Sequence, residues 1–170
     1  GDFDKDGNPD MFVADHCKGI FVYQGDGKGG WQLSWKYKAG ADDLSAVDVN
    51  GDGKDDIIAN INAPANSYLV WYYIPENPSK QWPHVIIGSG IHGGTDPKGA
   101  ADLDNDGDVD IVRGNSWFEN NSGSGFGWTE HPVLIPDGGS RAGKYGLAIK
   151  TWITDLDKDG DPDIVQAECD

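Results

Sequence analysis

Residues 101–120 read ADLDNDGDVDIVRGNSWFEN, and this stretch determines how the rest of the chain is interpreted. Five aspartates fall within the nine positions from Asp102 to Asp110, and an apolar run with aromatic residues follows directly. Carboxylates at this density repel one another unless an opposite charge lies between them. A hard cation would remove the conflict, because calcium binds about six to eight oxygen ligands, mostly carboxylates and carbonyls.

The acidic stretch is one of four copies. They begin at Asp2, Asp48, Asp102 and Asp155, which are 46, 54 and 53 residues apart, and each reads D-x-[DN]-x-D-G-x-x-D before an apolar run. Self-similarity at a fixed period is the sequence signature of a repeat architecture. We call the acidic segments loops one to four (residues 2–10, 48–56, 102–110 and 155–163). Position 6 is glycine in every loop, which allows a sharp turn that a residue with a Cβ resists.

Each loop is predicted to hold one calcium ion, about four in all. Side chains at positions 1, 3, 5 and 9 and the backbone carbonyl of position 7 would converge on the ion. The predicted ligands are Asp2, Asp4, Asp6, Asn8 and Asp10 in loop one; Asp48, Asn50, Asp52, Lys54 and Asp56 in loop two; Asp102, Asp104, Asp106, Asp108 and Asp110 in loop three; and Asp155, Asp157, Asp159, Asp161 and Asp163 in loop four. The alternative is four solvated acidic turns without metal.

The loops do not match an EF-hand. That loop needs a bidentate glutamate at position 12 and lies between two helices. Position 12 is Val13, Ala59, Arg113 or Gln166 here, and the flanking segments are short β-type runs such as MFVA and DIVRG. The interpretation is therefore a calcium loop between strands, in which the ion is a structural crosslink rather than a catalytic centre.

The segments around the loops predict four short strands per unit. A small or alternating segment precedes each of loops two to four, a β-type run follows every loop, and an aromatic run comes next in three units: IFVYQ, YLVWYY and SWFEN. A turn rich in Gly, Pro, Asn or Ser then leads through a tryptophan (Trp31, Trp82 or Trp128) into a last strand. Four short strands per unit without helical periodicity indicate an all-β fold of four-stranded antiparallel β-propeller blades.

These units resemble the FG-GAP/VCBS-type calcium-binding propeller repeats of integrin alpha-subunit heads and many secreted bacterial proteins. The resemblance covers essentially the whole chain, and it implies a propeller with calcium in the turn between the first and second strands of a blade. The one departure is Asn50 at position 3 of loop two, where an amide oxygen replaces a carboxylate. Residues 1–170 are predicted to form a single region of about three and a half blades, with repeats starting near residues 1, 44, 98 and 148.

The blade count predicts that something else completes the propeller. Blade one lacks a first strand and blade four reaches only its second, whereas a propeller normally needs four to eight blades. Exposed strand edges at both ends favour pairing. The expectation is therefore either the remainder of a longer chain or self-association, including a fibre whose blades are completed between chains.

Charge limits the classes of partner. The net charge is -16, and 18 of the 29 acidic residues lie in the four loops. No basic stripe is present to neutralise phosphates, so nucleic acid is excluded as a partner. No stretch has the ~18 consecutive apolar residues that a membrane span needs. Four dications would reduce the formal charge to -8 (-16 plus 8).

Two features leave alternatives open. Cys17 and Cys169 follow equivalent strands, and the pair is either a disulfide or two unpaired thiols. Asn120 begins the sequon NNS, and its place in a turn predicts that it is accessible to glycosylation.

Two classes of function remain. The first is a non-catalytic, calcium-stabilised propeller that serves binding, adhesion or assembly at the cell surface or outside the cell, with a glycan or a protein as ligand. The second is part of a carbohydrate-active enzyme such as a polysaccharide lyase, which needs a cation to neutralise a uronate and a group to move a proton. His92, Arg141 and Tyr145 are the candidate ligand-binding residues for that chemistry. His84 and His131 occupy the same place in two units, which favours a structural role.

Overall fold

A computed structural model describes residues 1–62, 67–90, 95–114, 116–132 and 150–167. Every regular element in these ranges is a β-strand, so the all-β prediction is confirmed. The strands are β1 (Met11–Asp15), β2 (Gly19–Gly25), β3 (Trp31–Tyr37), β4 (Ala41–Val47), β5 (Asp56–Asn62), β6 (Ser67–Tyr72), β7 (His84–Gly90), β8 (Pro97–Lys98), β9 (Ala100–Ala101), β10 (Asp110–Arg113), β11 (Ser116–Asn120), β12 (Trp128–Pro132), β13 (Lys150–Thr154) and β14 (Asp163–Ala167). None of the described segments is a helix of the length and apolarity that a membrane crossing requires.

The strands form four sheets, which we call blades one to four. Their strand orders are β1-β2-β3, β4-β5-β6-β7, β9-β10-β11-β12 and β8-β13-β14. Blades two and three are four-stranded and antiparallel throughout, with neighbours in sequence order. This arrangement is the propeller-like blade that the repeats predict, although the sheets formed by the described residues do not close into a ring.

The acidic loops have the same place in their blades. Loops two and three each join the first strand of a blade to the second, loop four joins β13 to β14, and loop one leads into β1. Each of the three joining loops closes an antiparallel hairpin, because its position-9 aspartate pairs with the residue just before the loop: Asp56 with Val47, Asp110 with Ala101, and Asp163 with Thr154. The predicted position between first and second strands is thus confirmed in blades two and three.

The first strand of blade three differs from the prediction of one continuous strand. The segment divides into β8 and β9 on either side of Gly99, and β8 pairs in parallel with β13 of blade four. The Gly99 amide donates to the Thr95 carbonyl at 2.7 Å, and a Cβ at Gly99 would lie 2.5 Å from that same oxygen. This close backbone approach excludes a side chain and interrupts the strand.

A first core lies between blades one and two. Ile57 and Ala59 of β5 are fully buried in a cluster with Ile20 and Val22 of β2. Stacking of Trp35 on Trp82, with ring centroids 5.0 Å apart, adds to the same cluster. Blade two therefore packs against blade one through the first and third residues after its loop.

A second core lies between blades two and three. Ile58 of β5 is fully buried in a cluster with Trp71 of β6 and with Ile111 and Phe118 of blade three. Successive residues of a strand point to opposite faces of its sheet, so Ile58 contacts the following blade while Ile57 contacts the preceding one. We call the side of a blade that contacts the following blade its forward face, and the side that contacts the preceding blade its backward face.

Candidate metal centres

The four loops share one pattern of hydrogen bonds. The amide of the position-6 glycine donates to the position-1 carboxylate: Gly7 to Asp2 at 3.0 Å, Gly53 to Asp48 at 2.6 Å, Gly107 to Asp102 at 2.9 Å and Gly160 to Asp155 at 3.1 Å. The position-5 amide donates to the position-3 side chain at 3.0–3.2 Å. The position-7 amide donates to the position-5 side chain at 2.8–3.0 Å. One local sequence pattern thus produces one loop geometry four times.

Two positions in each loop adopt a left-handed backbone. The position-6 glycines have φ of 81–102°, as the sequence predicts. Position 4 is also left-handed, although three of its four residues are not glycine: Lys5 (φ 59°), Asn105 (φ 62°) and Lys158 (φ 64°), beside Gly51 (φ 71°). Sequence reasoning missed position 4, because the lysines carry no signal for this conformation; only Gly51 and Asn105 are typical of it.

Carboxylates converge in three of the loops. Within the described residues, ligand oxygens lie within 4.8 Å of one another in three groups: Asp2, Asp4 and Asp6; Asp102, Asp104 and Asp110; and Asp155, Asp157 and Asp163. In loop two the Asn50 side-chain oxygen takes the position-3 place and accepts from the Asp52 amide at 3.0 Å. The Asp2 Oδ1 atom is buried and has no hydrogen-bond partner. A set of converging hard oxygen donors with one unsatisfied buried oxygen fits a cation such as calcium.

The position-9 aspartates also hold the blade together. Asp110 Oδ2 accepts from the Leu103 amide in its own loop at 2.8 Å, and Asp110 Oδ1 accepts from the Asn120 amide at the end of β11 at 2.9 Å. Asp10 likewise accepts from Phe3 and Gly25, both at 3.0 Å. The last carboxylate of each of these two loops thus ties the loop to the second strand that follows it, β2 for Asp10 and β11 for Asp110. The sequence assigned these carboxylates only as ligands, since their strand partners are distant residues.

Burial sets the acidity of these carboxylates. Asp110 is fully buried, and burial raises the pKa of this carboxyl to about 6 despite its backbone hydrogen bonds. Burial raises the pKa of Asp56 to about 7, although Asp56 accepts from Trp71 Nε1 at 2.9 Å and from the Ile74 amide at 3.0 Å. Neighbouring loop aspartates add repulsion in both cases. A nearby dication would reverse this balance by favouring the charged form.

The residues proposed for lyase chemistry lie outside the described part of the chain. This holds for His92, Arg141 and Tyr145, so the structure does not bring them together or separate them. Cys169 also lies outside the described residues, whereas Cys17 is exposed. The structure therefore does not test whether the two cysteines form a disulfide or stay unpaired thiols.

The described histidines contact neighbouring side chains. His131 stacks on Trp117 with ring centroids 4.3 Å apart and bonds to Glu119 at 2.6 Å. His84 lies 5.4 Å from the Tyr72 ring, between centroids. His16 bonds to Asp42, which raises the pKa of the His16 imidazole. The contacts of His84 and His131 agree with the structural role expected from their repetition.

The three turn tryptophans differ in exposure. Trp82 is fully buried in the first core. Trp128 packs against the second core, and its Nε1 donates to the Gly125 carbonyl at 2.8 Å. Trp31, at the corresponding place in blade one, is 49% exposed. Two of the three therefore pack between blades, as their repetition favours, and the third has an open face.

The sequon at Asn120 is buried, so the prediction of an accessible side chain is wrong. Asn120 is 0% exposed. Its Nδ2 donates to the Val49 carbonyl of loop two at 3.3 Å, and its Oδ1 accepts from the Gly125 amide at 3.1 Å. The sequon begins at the end of β11. The side chain of its first residue, Asn120, points inward and joins blades two and three.

Comparison with protein families gives one match. The model of the FG-GAP-like repeat matches residues 2–59 and 48–113. The two matches together span residues 2–113, which is 112 of the 170 residues and includes loops one to three. Comparisons with curated proteins and with solved structures gave no match.

Proposed function

Because this chain belongs to the family of FG-GAP-like repeat proteins, we propose that it is a non-catalytic, calcium-stabilised propeller-like module that serves binding, adhesion or assembly. Each of the four loops takes one calcium ion as a structural crosslink. The module works outside the cell or at its surface, where calcium is abundant enough to fill sites of modest affinity. Its ligand is a glycan or another protein.

The convergence of carboxylate oxygens carries the proposal. Three of the loops hold three carboxylates each with ligand oxygens within 4.8 Å of one another. Like charges this close destabilise the fold unless they are protonated or bound to a cation. The unsatisfied, buried Asp2 Oδ1 supports the same view, because a buried oxygen without a partner is costly.

The loop geometry explains what the ion would stabilise. The amide of position 6 holds the position-1 carboxylate, and the position-9 carboxylate accepts from the third strand. A cation in loop three would be held by Asp102, Asp104 and Asp106, the Asp108 carbonyl and Asp110. It would neutralise the repulsion that opposes this hairpin, and the free energy of binding would add to the stability of the whole blade.

Calcium titration tests the proposal. We expect isothermal titration calorimetry to give about four ions per chain and the melting temperature to rise with calcium. At a free concentration of about 100 times Kd, each site stabilises the folded state by about 2.7 kcal/mol. Excess chelator should reverse the rise, and an unchanged melt in chelator would remove calcium from the proposal.

A pair of variants in loop three provides the matched control. Asp104→Ala removes the oxygen ligand and the charge of a predicted side-chain ligand, whereas Asp108→Ala removes an equal charge at position 7, where only the backbone carbonyl is a ligand. We expect Asp104→Ala to lose one site, or to weaken it at least tenfold, while Asp108→Ala keeps all four. Equal losses in the two variants would mean that the loops respond to net charge and do not coordinate an ion.

A further inference from the structure

Loop two carries an asparagine–glycine pair at positions 3 and 4. Loops one, three and four have aspartate at position 3, whereas loop two has an amide, Asn50. Of the 10 asparagines in the chain, Asn50 alone is followed by glycine. The side-chain carbon of an asparagine can close a five-membered ring with the next backbone nitrogen. Glycine opposes that ring closure least, because it has no Cβ and adopts many backbone conformations.

The backbone nitrogen that would attack belongs to Gly51. Gly51 is exposed, and nothing lies within 4 Å of the place that its Cβ would occupy. The amides of Asp52, Gly53 and Lys54 donate to side-chain oxygens of loop two, and none of these bonds uses the Gly51 amide. Gly51 therefore meets solvent, and its amide is not engaged in the bonds that hold the loop.

The side chain that would be attacked is already in contact with a donor. Asn50 Oδ1 accepts from the Asp52 amide at 3.0 Å. Attack on the Asn50 Cγ places negative charge on this same oxygen, and a backbone N–H aimed at it stabilises that charge. The equivalent bond from position 5 to position 3 forms in the other three loops. The fold of the loop thus supplies the donor that the reaction needs.

Other asparagines lack this combination. Asn8 and Asn77 precede proline, whose nitrogen carries no hydrogen and cannot attack. Asn120 is fully buried. Asn105, at position 4 of loop three, precedes Asp106, and the Cβ of Asp106 hinders ring closure. Asn105 is therefore an internal comparison that lies in an acidic loop of the same geometry.

We propose that Asn50–Gly51 is a self-modification site, at which Asn50 loses its amide group and becomes a carboxylate. The Gly51 nitrogen bonds to the Asn50 Cγ and gives up its proton, while the Cγ–Nδ2 bond breaks and Nδ2 leaves with that proton as ammonia. Water then opens the cyclic imide and returns a proton to the Gly51 nitrogen. One water is consumed and one ammonia is released, and no oxidant, reductant or enzyme is needed.

The products change the ligand set and charge of loop two. Opening of the imide at Cγ gives aspartate, so that positions 1, 3, 5 and 9 are all carboxylates, as in the other three loops. Opening at the main-chain carbonyl gives isoaspartate, which adds one methylene to the backbone of the loop. Either product takes the formal net charge from -16 to -17 (-16 minus 1). This inference goes beyond the proposed function, and it does not depend on which cation the loops bind.

Ageing of the purified chain tests the proposal. The chain is kept in excess chelator at mildly alkaline pH, below its melting temperature in that buffer, and sampled by peptide mass spectrometry. We expect residue 50 to change from amide to acid roughly tenfold faster than Asn105, because Gly51 has no Cβ and Asp106 has one. Anion-exchange chromatography should show a more acidic form of the intact chain that grows at the same rate.

Gly51→Lys is the matched control. The chain itself places Lys5 and Lys158 at this position in loops one and four, with φ of 59° and 64°, so lysine suits the backbone while its Cβ hinders the attack. We expect amide loss at Asn50 to fall roughly tenfold in this variant, and circular dichroism shows whether it keeps the fold. Equal amide loss in Gly51→Lys, or an Asn50 that keeps its amide as long as Asn105 does in the unmodified chain, would overturn the proposal.

Discussion

At the scale of the residue, Asn120 shows how a buried environment changes the meaning of a motif. The residue begins a glycosylation sequon, but its side chain joins two blades. Its Nδ2 donates to the Val49 carbonyl of loop two and to the Val109 carbonyl of loop three, at 3.3 and 3.4 Å. The side chain therefore satisfies backbone groups that would otherwise be unpaired at the blade contact.

Replacing Asn120 with alanine should destabilise the folded chain. The change leaves the Gly125 amide and the Val49 carbonyl without this partner in a buried site, and we expect the free energy of unfolding to fall by about 1–3 kcal/mol. Asn121→Ala is the control, because Asn121 is exposed and its loss should cost less than about 0.5 kcal/mol. Urea denaturation at fixed calcium measures both, and equal effects would contradict the bridging role of Asn120.

At the scale of the element, the acidic loop is a turn with two left-handed residues. Gly107 has φ of 97°, and nothing lies within 4 Å of the place that a Cβ would occupy. Asn105, two residues earlier, has φ of 62°. The constraint at Gly107 is therefore one of backbone conformation and not of space.

Gly107→Ala should weaken loop three through its backbone alone. An L-residue with a Cβ in this conformation costs about 1–2 kcal/mol, so the free energy of unfolding should fall by roughly that amount. Lys158→Gly in loop four removes a Cβ at φ of 64° and should not destabilise the chain to the same extent. Thermal melts compare the two, and if Lys158→Gly proves as damaging as Gly107→Ala, backbone strain is not the cause.

The sequence predicted a strand correctly where the residues of the strand itself carry the pattern. The run at Ser116–Asn120 is β11, as its aromatic residues predict. The predicted first strand of blade three is divided into β8 and β9. This division could not be predicted, because it depends on the carbonyl of Thr95 approaching Gly99. It also depends on a pairing of β8 with β13, which lies about 50 residues further along the chain.

At the scale of the whole molecule, stability comes from contacts between blades. The first core joins residues of blades one and two, and the second joins blades two and three. Equivalent positions therefore have unequal energetic weight, according to whether a neighbouring blade covers them. Trp82 and Trp31 are the clearest pair, at 0% and 49% exposure.

The two tryptophans should respond differently to truncation. Trp82→Ala opens a cavity in the first core and should lower the free energy of unfolding by about 3–5 kcal/mol. Trp31→Ala should cost less than about 1 kcal/mol in a dilute, monomeric sample, because its ring already contacts water. Denaturation at low protein concentration measures both. A comparable loss for Trp31→Ala would show that its face is covered even in the monomer.

The sequence by itself determined the four loops, the strands around them and the blade as the unit of the fold. These depend on residues close together in the chain: aspartates at fixed spacing, a glycine at the turn and alternating apolar runs. Tertiary structure alone decided that Asn120 is buried, that Asp10 and Asp110 tie their loops to β2 and β11, and that Trp82 is covered while Trp31 is open. Each of these features depends on contact with a strand or blade that is distant in sequence. A local sequence pattern cannot predict burial or hydrogen bonding between distant segments.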